Sequence, residues 1–114
     1  MEDKSNNSDV SSFLAKAKKL LSKGNYVFVP REKNMQALSE HGLTIKDAKN
    51  EMLELSADDY YKGPKKDFDP SQTGDIWEFK KDIDGELFYV KMKIQAVGGK
   101  DILKCLSFHK AEYQ

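Results

Sequence analysis

The chain has 114 residues, 39% hydrophobic and 33% charged, which is enough apolar material for one small core and therefore one domain. Lys plus Arg and Asp plus Glu number 19 each, and that zero net charge excludes a protein that gathers nucleic acid by its overall field; only a local basic patch is left for such contact. A single cysteine excludes an internal disulfide and a four-cysteine zinc site, and no apolar run nears the roughly 18 residues of a membrane span.

The opening MEDKSNNSDV lacks the apolar stretch of a signal peptide, so a cytoplasmic protein is expected. Residues 1–10 are read as a disordered tail and 11–114 as one domain. Phe13, Ala17, Leu20 and Leu21 recur at helical spacing, which predicts a helix from about Ser12 to Lys23, closed by Gly24. Tyr26 to Val29 reads as a short strand stopped by Pro30. A helix from about Arg31 to His41 ends at Gly42. Thr44 with Asp47 signs the start of the next helix, which carries Ile45, Ala48, Met52 and Leu55 on one face. Ser56 with Asp59 repeats that signature before Tyr60 and Tyr61. Lys62 to Gly74, with two prolines and packed charges, reads as a loop of the functional kind. Period-two patterning then predicts strands near 75–82, 86–97 and 101–109. Helices first and a three-strand meander last give an α+β fold, with the helices packed on an antiparallel sheet.

Alternation sorts the strand side chains into two faces. Trp77 and Phe79 share one face, Glu78 and Lys80 the other. Phe88, Val90, Met92 and Ile94 oppose Tyr89, Lys91 and Lys93 in the same way. Ile102, Leu106 and Phe108 read as core although Lys104 interrupts them, with Cys105, Ser107 and His109 facing away. A two-residue Asp84-Gly85 turn pairs Phe79 with Val90, Trp77 with Met92 and Glu78 with Lys91. A three-residue loop at Gly98-Gly99-Lys100 pairs Met92 with Leu106, Val90 with Phe108 and Tyr89 with His109. One polar face then collects Glu78, Lys80, Tyr89, Lys91 and His109.

These are the parts needed to cleave RNA without a metal or cofactor. Glu78 can take the 2′-OH proton, His109 can protonate the departing 5′-oxygen, and Lys62 and Lys91 can steady the phosphorane charge. Tyr89 can bond a phosphate oxygen or stack on a base. Lys65, Lys66 and Lys80 are the further phosphate-binding candidates. The plain alternative is a solvated sheet face with cross-strand Glu–Lys pairs and a solvated lysine loop. His41 reads as a helix C-terminal cation, and Cys105 as an inert thiol.

Leu55-Ser56-Ala57-Asp58-Asp59-Tyr60-Tyr61-Lys62, Ile76-Trp77-Glu78, Phe88-Tyr89-Val90-Lys91 and Leu106-Ser107-Phe108-His109 together resemble the MqsR family of bacterial toxins, over about Gly42 to His109. The resemblance implies a RelE-like α+β fold and a sequence-selective mRNA endoribonuclease. It also implies a partner antitoxin, a helix-turn-helix DNA-binding repressor, that holds the enzyme silent. Lys62 and Tyr89 match family positions. Glu78 stands where the best-known member has glutamine, and His109 where it has lysine. Two rivals are a binding module that kept the fold and lost activity, such as a phage inhibitor, and a non-catalytic RNA-binding domain.

Overall fold

A computed structural model describes residues 7–67 and 73–111. Helix α1 spans Asn7–Lys23, starting before the expected Ser12. Val10 is fully buried and extends the apolar stripe through Leu14, Ala17 and Leu21, so burial there favours another helical turn over a tail. Of the expected tail, residues 1–6 lie outside the described residues. Strand β1 covers Tyr26–Phe28, helix α2 Glu32–His41 and helix α3 Ile45–Leu53. Thr44 and Asp47 cap α3 reciprocally, as their spacing predicts. Ile45 stays exposed, while Ala48, Met52 and Leu55 reach the core. Ser56 and Asp59 form a second reciprocal cap on a short 3-10 turn.

Strand β2, Tyr60–Lys65, takes in the first residues of the segment predicted as a loop from Lys62. It is an edge strand paired antiparallel to β3, Ile76–Ile83, with two register irregularities. Gly63 explains one of them: its φ is +117°, and a Cβ there would lie 2.6 Å from the Ile76 carbonyl oxygen. Only glycine allows so close a pass. Strands β4, Glu86–Val97, and β5, Lys100–Lys110, complete the sheet. The strand order is β1-β5-β4-β3-β2. The sheet is mixed rather than antiparallel throughout, because β1 runs parallel to β5. That pairing joins segments far apart in sequence, and no turn signal marks it.

The β3–β4 register is the predicted one, with Phe79 opposite Val90, Trp77 opposite Met92 and Glu78 opposite Lys91. The second hairpin differs. Gly98 and Gly99 both take positive φ and make a two-residue turn, so Val97 faces Lys100 and Met92 faces Cys105. A bulge at Leu106 then shifts the ladder by one residue, and Val90 faces Phe108 while Tyr89 faces His109. Cys105 and Leu103 are therefore core, and Ile102 and Leu106 are only half-buried, correcting the assignment of Ile102 and Leu106 to the core and Cys105 to the polar face. Lys104 interrupts nothing: it lies opposite Lys93 on the outer face.

The core lies between helices and sheet. Phe79, Phe88, Val90, Met92 and Phe108 meet Leu14, Leu21, Met52 and Leu55, all buried. Trp77 is half-buried and stacks on Phe13 at 4.8 Å. Asn34 of α2 is also buried. Its side-chain amide donates to Leu106 O and Val29 O, both at 3.0 Å, and accepts from Phe108 N at 3.0 Å. It thus takes the place of a neighbouring strand where β1 ends.

Candidate active site

The sheet face turned away from the helices carries the polar residues that alternation assigns to it. At its centre is Glu78 on β3. Its Oε1 accepts a hydrogen bond from the Tyr89 hydroxyl of β4 at 2.6 Å. Its Oε2 lies 2.6 Å from the Lys65 ammonium of β2. Glu78 is 3% exposed, so it is buried and not on an open solvent face as expected. The strand and strap carrying Lys62 to Asp67 cover what alternation alone leaves bare. Burial pushes the Glu78 carboxyl up, but the Lys65 and Tyr89 contacts, with the more distant Lys91 charge, outweigh it and leave it below the usual carboxylate range. The Tyr89 phenol is pushed well above its ordinary value by burial and by its bond to Glu78. It is a donor to the carboxylate, rather than a free hydroxyl.

Tyr89 connects two groups. Its ring centroid is 5.6 Å from that of His109 on β5, while its hydroxyl holds Glu78. His109 Nδ1 lies 3.1 Å from the Lys110 carbonyl, which favours a proton on Nδ1 and leaves Nε2 as the second ring nitrogen. His109 and His41 line a hollow of about 180 Å³ between α2 and β5.

The lysines divide into direct and distant partners. Lys65 makes the ion pair that cross-strand register assigns to Lys91; Lys91 instead lies with its ammonium 5.9 Å from the Tyr89 ring centre. Lys62 sits on β2 and pairs with Glu78 through the backbone. Its exposed ammonium lies 5.1 Å from the Tyr61 ring centre, and the residue belongs to a strand, not to a loop. Lys80 lies 3.9 Å from the same ring. Lys66 is exposed just beyond the strand. Tyr61 is not among the expected site residues: no strand is expected at 60–65, so alternation assigns it no face. Alternation puts Lys93 on the polar face but does not foresee its burial. It is 1% exposed and pairs with Asp67 Oδ2 at 2.6 Å, a partner that nothing in the strand pattern names.

Among the described residues, no three His, Cys, Asp or Glu side chains converge as a metal site would require, and no helix is long and apolar enough to cross a membrane. A larger groove of about 550 Å³, floored by Phe13, Trp77, Ile94 and Ala96, lies apart from Glu78 and His109. The candidate site is thus a sheet face bearing one buried carboxylate, partly covered by the strap that carries Lys65. No protein-family model matches this chain, and no curated protein matches it.

Proposed function

We propose that this protein is a metal-independent endoribonuclease of the RelE/MqsR-like kind, the toxin of a toxin–antitoxin pair that cleaves mRNA in the cytoplasm and so halts translation and growth. Its partner is a cognate antitoxin of the helix-turn-helix type. The observation that carries this reading is the row of Glu78, Tyr89 and His109 across three neighbouring strands, flanked by Lys62, Lys65, Lys80 and Lys91. In the reaction the ribose 2′-oxygen attacks phosphorus and gives its proton to Glu78. The bond from phosphorus to the 5′-oxygen breaks, and His109 supplies the proton that the leaving oxygen takes up. The products are a 2′,3′-cyclic phosphate and a 5′-hydroxyl. The lysines carry the extra negative charge of the transition state, and Tyr89 orients the carboxylate.

A second reading, a binding module without activity, draws on the state of Glu78. A carboxylate already held by Tyr89 and Lys65, and kept below its usual range, is a weak base. One experiment separates the two: incubation of a long RNA in EDTA with wild type, Glu78→Gln and His109→Ala. Cleavage by wild type with cyclic phosphate ends, reduced about 10²–10⁴-fold in each variant, supports the enzyme. RNA binding without cleavage supports the module. Undiminished cleavage by both variants removes this site.

A further inference from the structure

Two lysine–carboxylate pairs tie the same strap to the sheet and differ in which partner is buried. In Lys93–Asp67 the lysine is 1% exposed and the aspartate 17%. In Lys65–Glu78 the lysine is 52% exposed and the glutamate 3%. An ammonium in water exchanges one anion for another at little cost, whereas a buried one is fixed in place, since leaving its partner strands a charge. The first pair therefore anchors the backbone just past Lys65; opening the second leaves the strap in place but strands the buried Glu78 carboxylate, which the loss of Lys65 drives toward protonation.

We propose that Lys65 is a catch on Glu78: it engages the carboxylate in the free protein and is drawn away by the phosphodiester of an RNA strand laid across this face. This rests on the ribonuclease reading above. The phosphodiester offers Lys65 an exposed anion in place of a buried one, so the ammonium gives up one charge-assisted contact and gains another. Glu78 then keeps its bond from Tyr89 at Oε1, while Oε2 stands in a site with little water. The groups that still share its face are Lys80 on its own strand, Tyr89, Lys91 and Lys93 from β4, the last paired with Asp67, and Lys62 from β2, with Tyr61 against Lys80 and Ser107 and His109 of β5 beyond β4. With its closest cation gone, burial dominates and the carboxylate becomes a stronger proton acceptor. The substrate thereby raises the basicity of the group that acts on it, and the free protein holds a poor base.

The test follows Glu78 itself, by ¹³C carboxyl NMR titration. The samples are wild type, Lys65→Gln, Lys65→Arg, and wild type saturated with a 2′-O-methyl RNA oligonucleotide, which binds as RNA but has no nucleophile. Expected is a titration midpoint higher by about tenfold or more in proton affinity in Lys65→Gln and in the wild-type complex. Lys65→Arg stays near wild type, and Lys65→Gln gains no further rise from the oligonucleotide. A bound oligonucleotide that leaves the midpoint in place overturns the catch, as does a Lys65→Gln midpoint equal to wild type. Failure of the oligonucleotide to bind overturns it too. Wild type that binds the oligonucleotide and shifts, but cleaves no RNA, defeats the ribonuclease reading alone. Cleavage with an unmoved midpoint defeats the catch alone.

Discussion

The face of the sheet turned to the helices and the face turned away both bury side chains, but of opposite kinds. The first buries Phe79, Phe88, Val90, Met92 and Phe108, where removing apolar area from water is itself the driving force. The second buries Glu78, Lys93 and Ser107 beside Ile76, and there each charge must be matched before burial is tolerable. The apolar face can be filled by any side chains of suitable volume. The polar face works only with particular partners, Lys65 and Tyr89 for one charge and Asp67 for the other.

The largest effect should come from emptying the apolar side. Phe79→Ala should cost about 3–5 kcal/mol, as for other buried Phe truncations, read as a drop in the urea midpoint. On the polar side, Lys93→Met should destabilise toward the lower end of the roughly 3–5 kcal/mol of a broken buried pair, since Asp67 retains some exposure. Adding Asp67→Asn should return part of the loss. If Lys93→Met alone is neutral, the second face is not held by matched charge.

A subtler difference is in acid. The Glu78 carboxyl lies below its ordinary value of 4.5, so its ionised form stabilises the fold above that pH. The contribution is lost as pH falls through the folded-state value. Glu78→Gln should flatten the decline of the denaturation midpoint below about pH 4.5 relative to wild type, whereas Phe79→Ala should lower stability without changing that slope. The smallest effect concerns Cys105. Burial on the apolar side pushes its thiol up to about 12, so the native protein should resist iodoacetamide at about pH 8 and react on unfolding. Ready labelling of the native state would return Cys105 to the outer face and undo the bulge.

How much of this was legible depends on where the physics is local. Asp84-Gly85 defines its turn by itself, and every pair of the first hairpin follows from it. Gly98-Gly99 does not, because glycines accept a two-residue turn or a three-residue loop alike. The predicted extra loop residue and the observed bulge at Leu106 each insert one residue into the same strand. They therefore agree beyond the bulge and disagree before it. Tyr89 opposite His109 came out correctly, and Cys105 did not. Strand β2 was hidden because Gly63, Pro64 and the lysines carry no alternation; only pairing with β3 makes it a strand. The burial of Glu78 and Lys93 was hidden for the same reason, since it is supplied by Lys65 and Asp67 from that strap.

Asn34 has a consequence at the rims of the sheet. Strand β1 is three residues long, and past its end the Asn34 amide occupies the Leu106 and Phe108 backbone groups. At the opposite rim β2 is broken by register irregularities and carries Pro64. Unpaired strand edges are where proteins template one another into dimers and fibres. Here one rim is plugged and the other crooked. Among the described residues, neither rim offers a long regular edge, and backbone pairing with a second polypeptide is disfavoured at both.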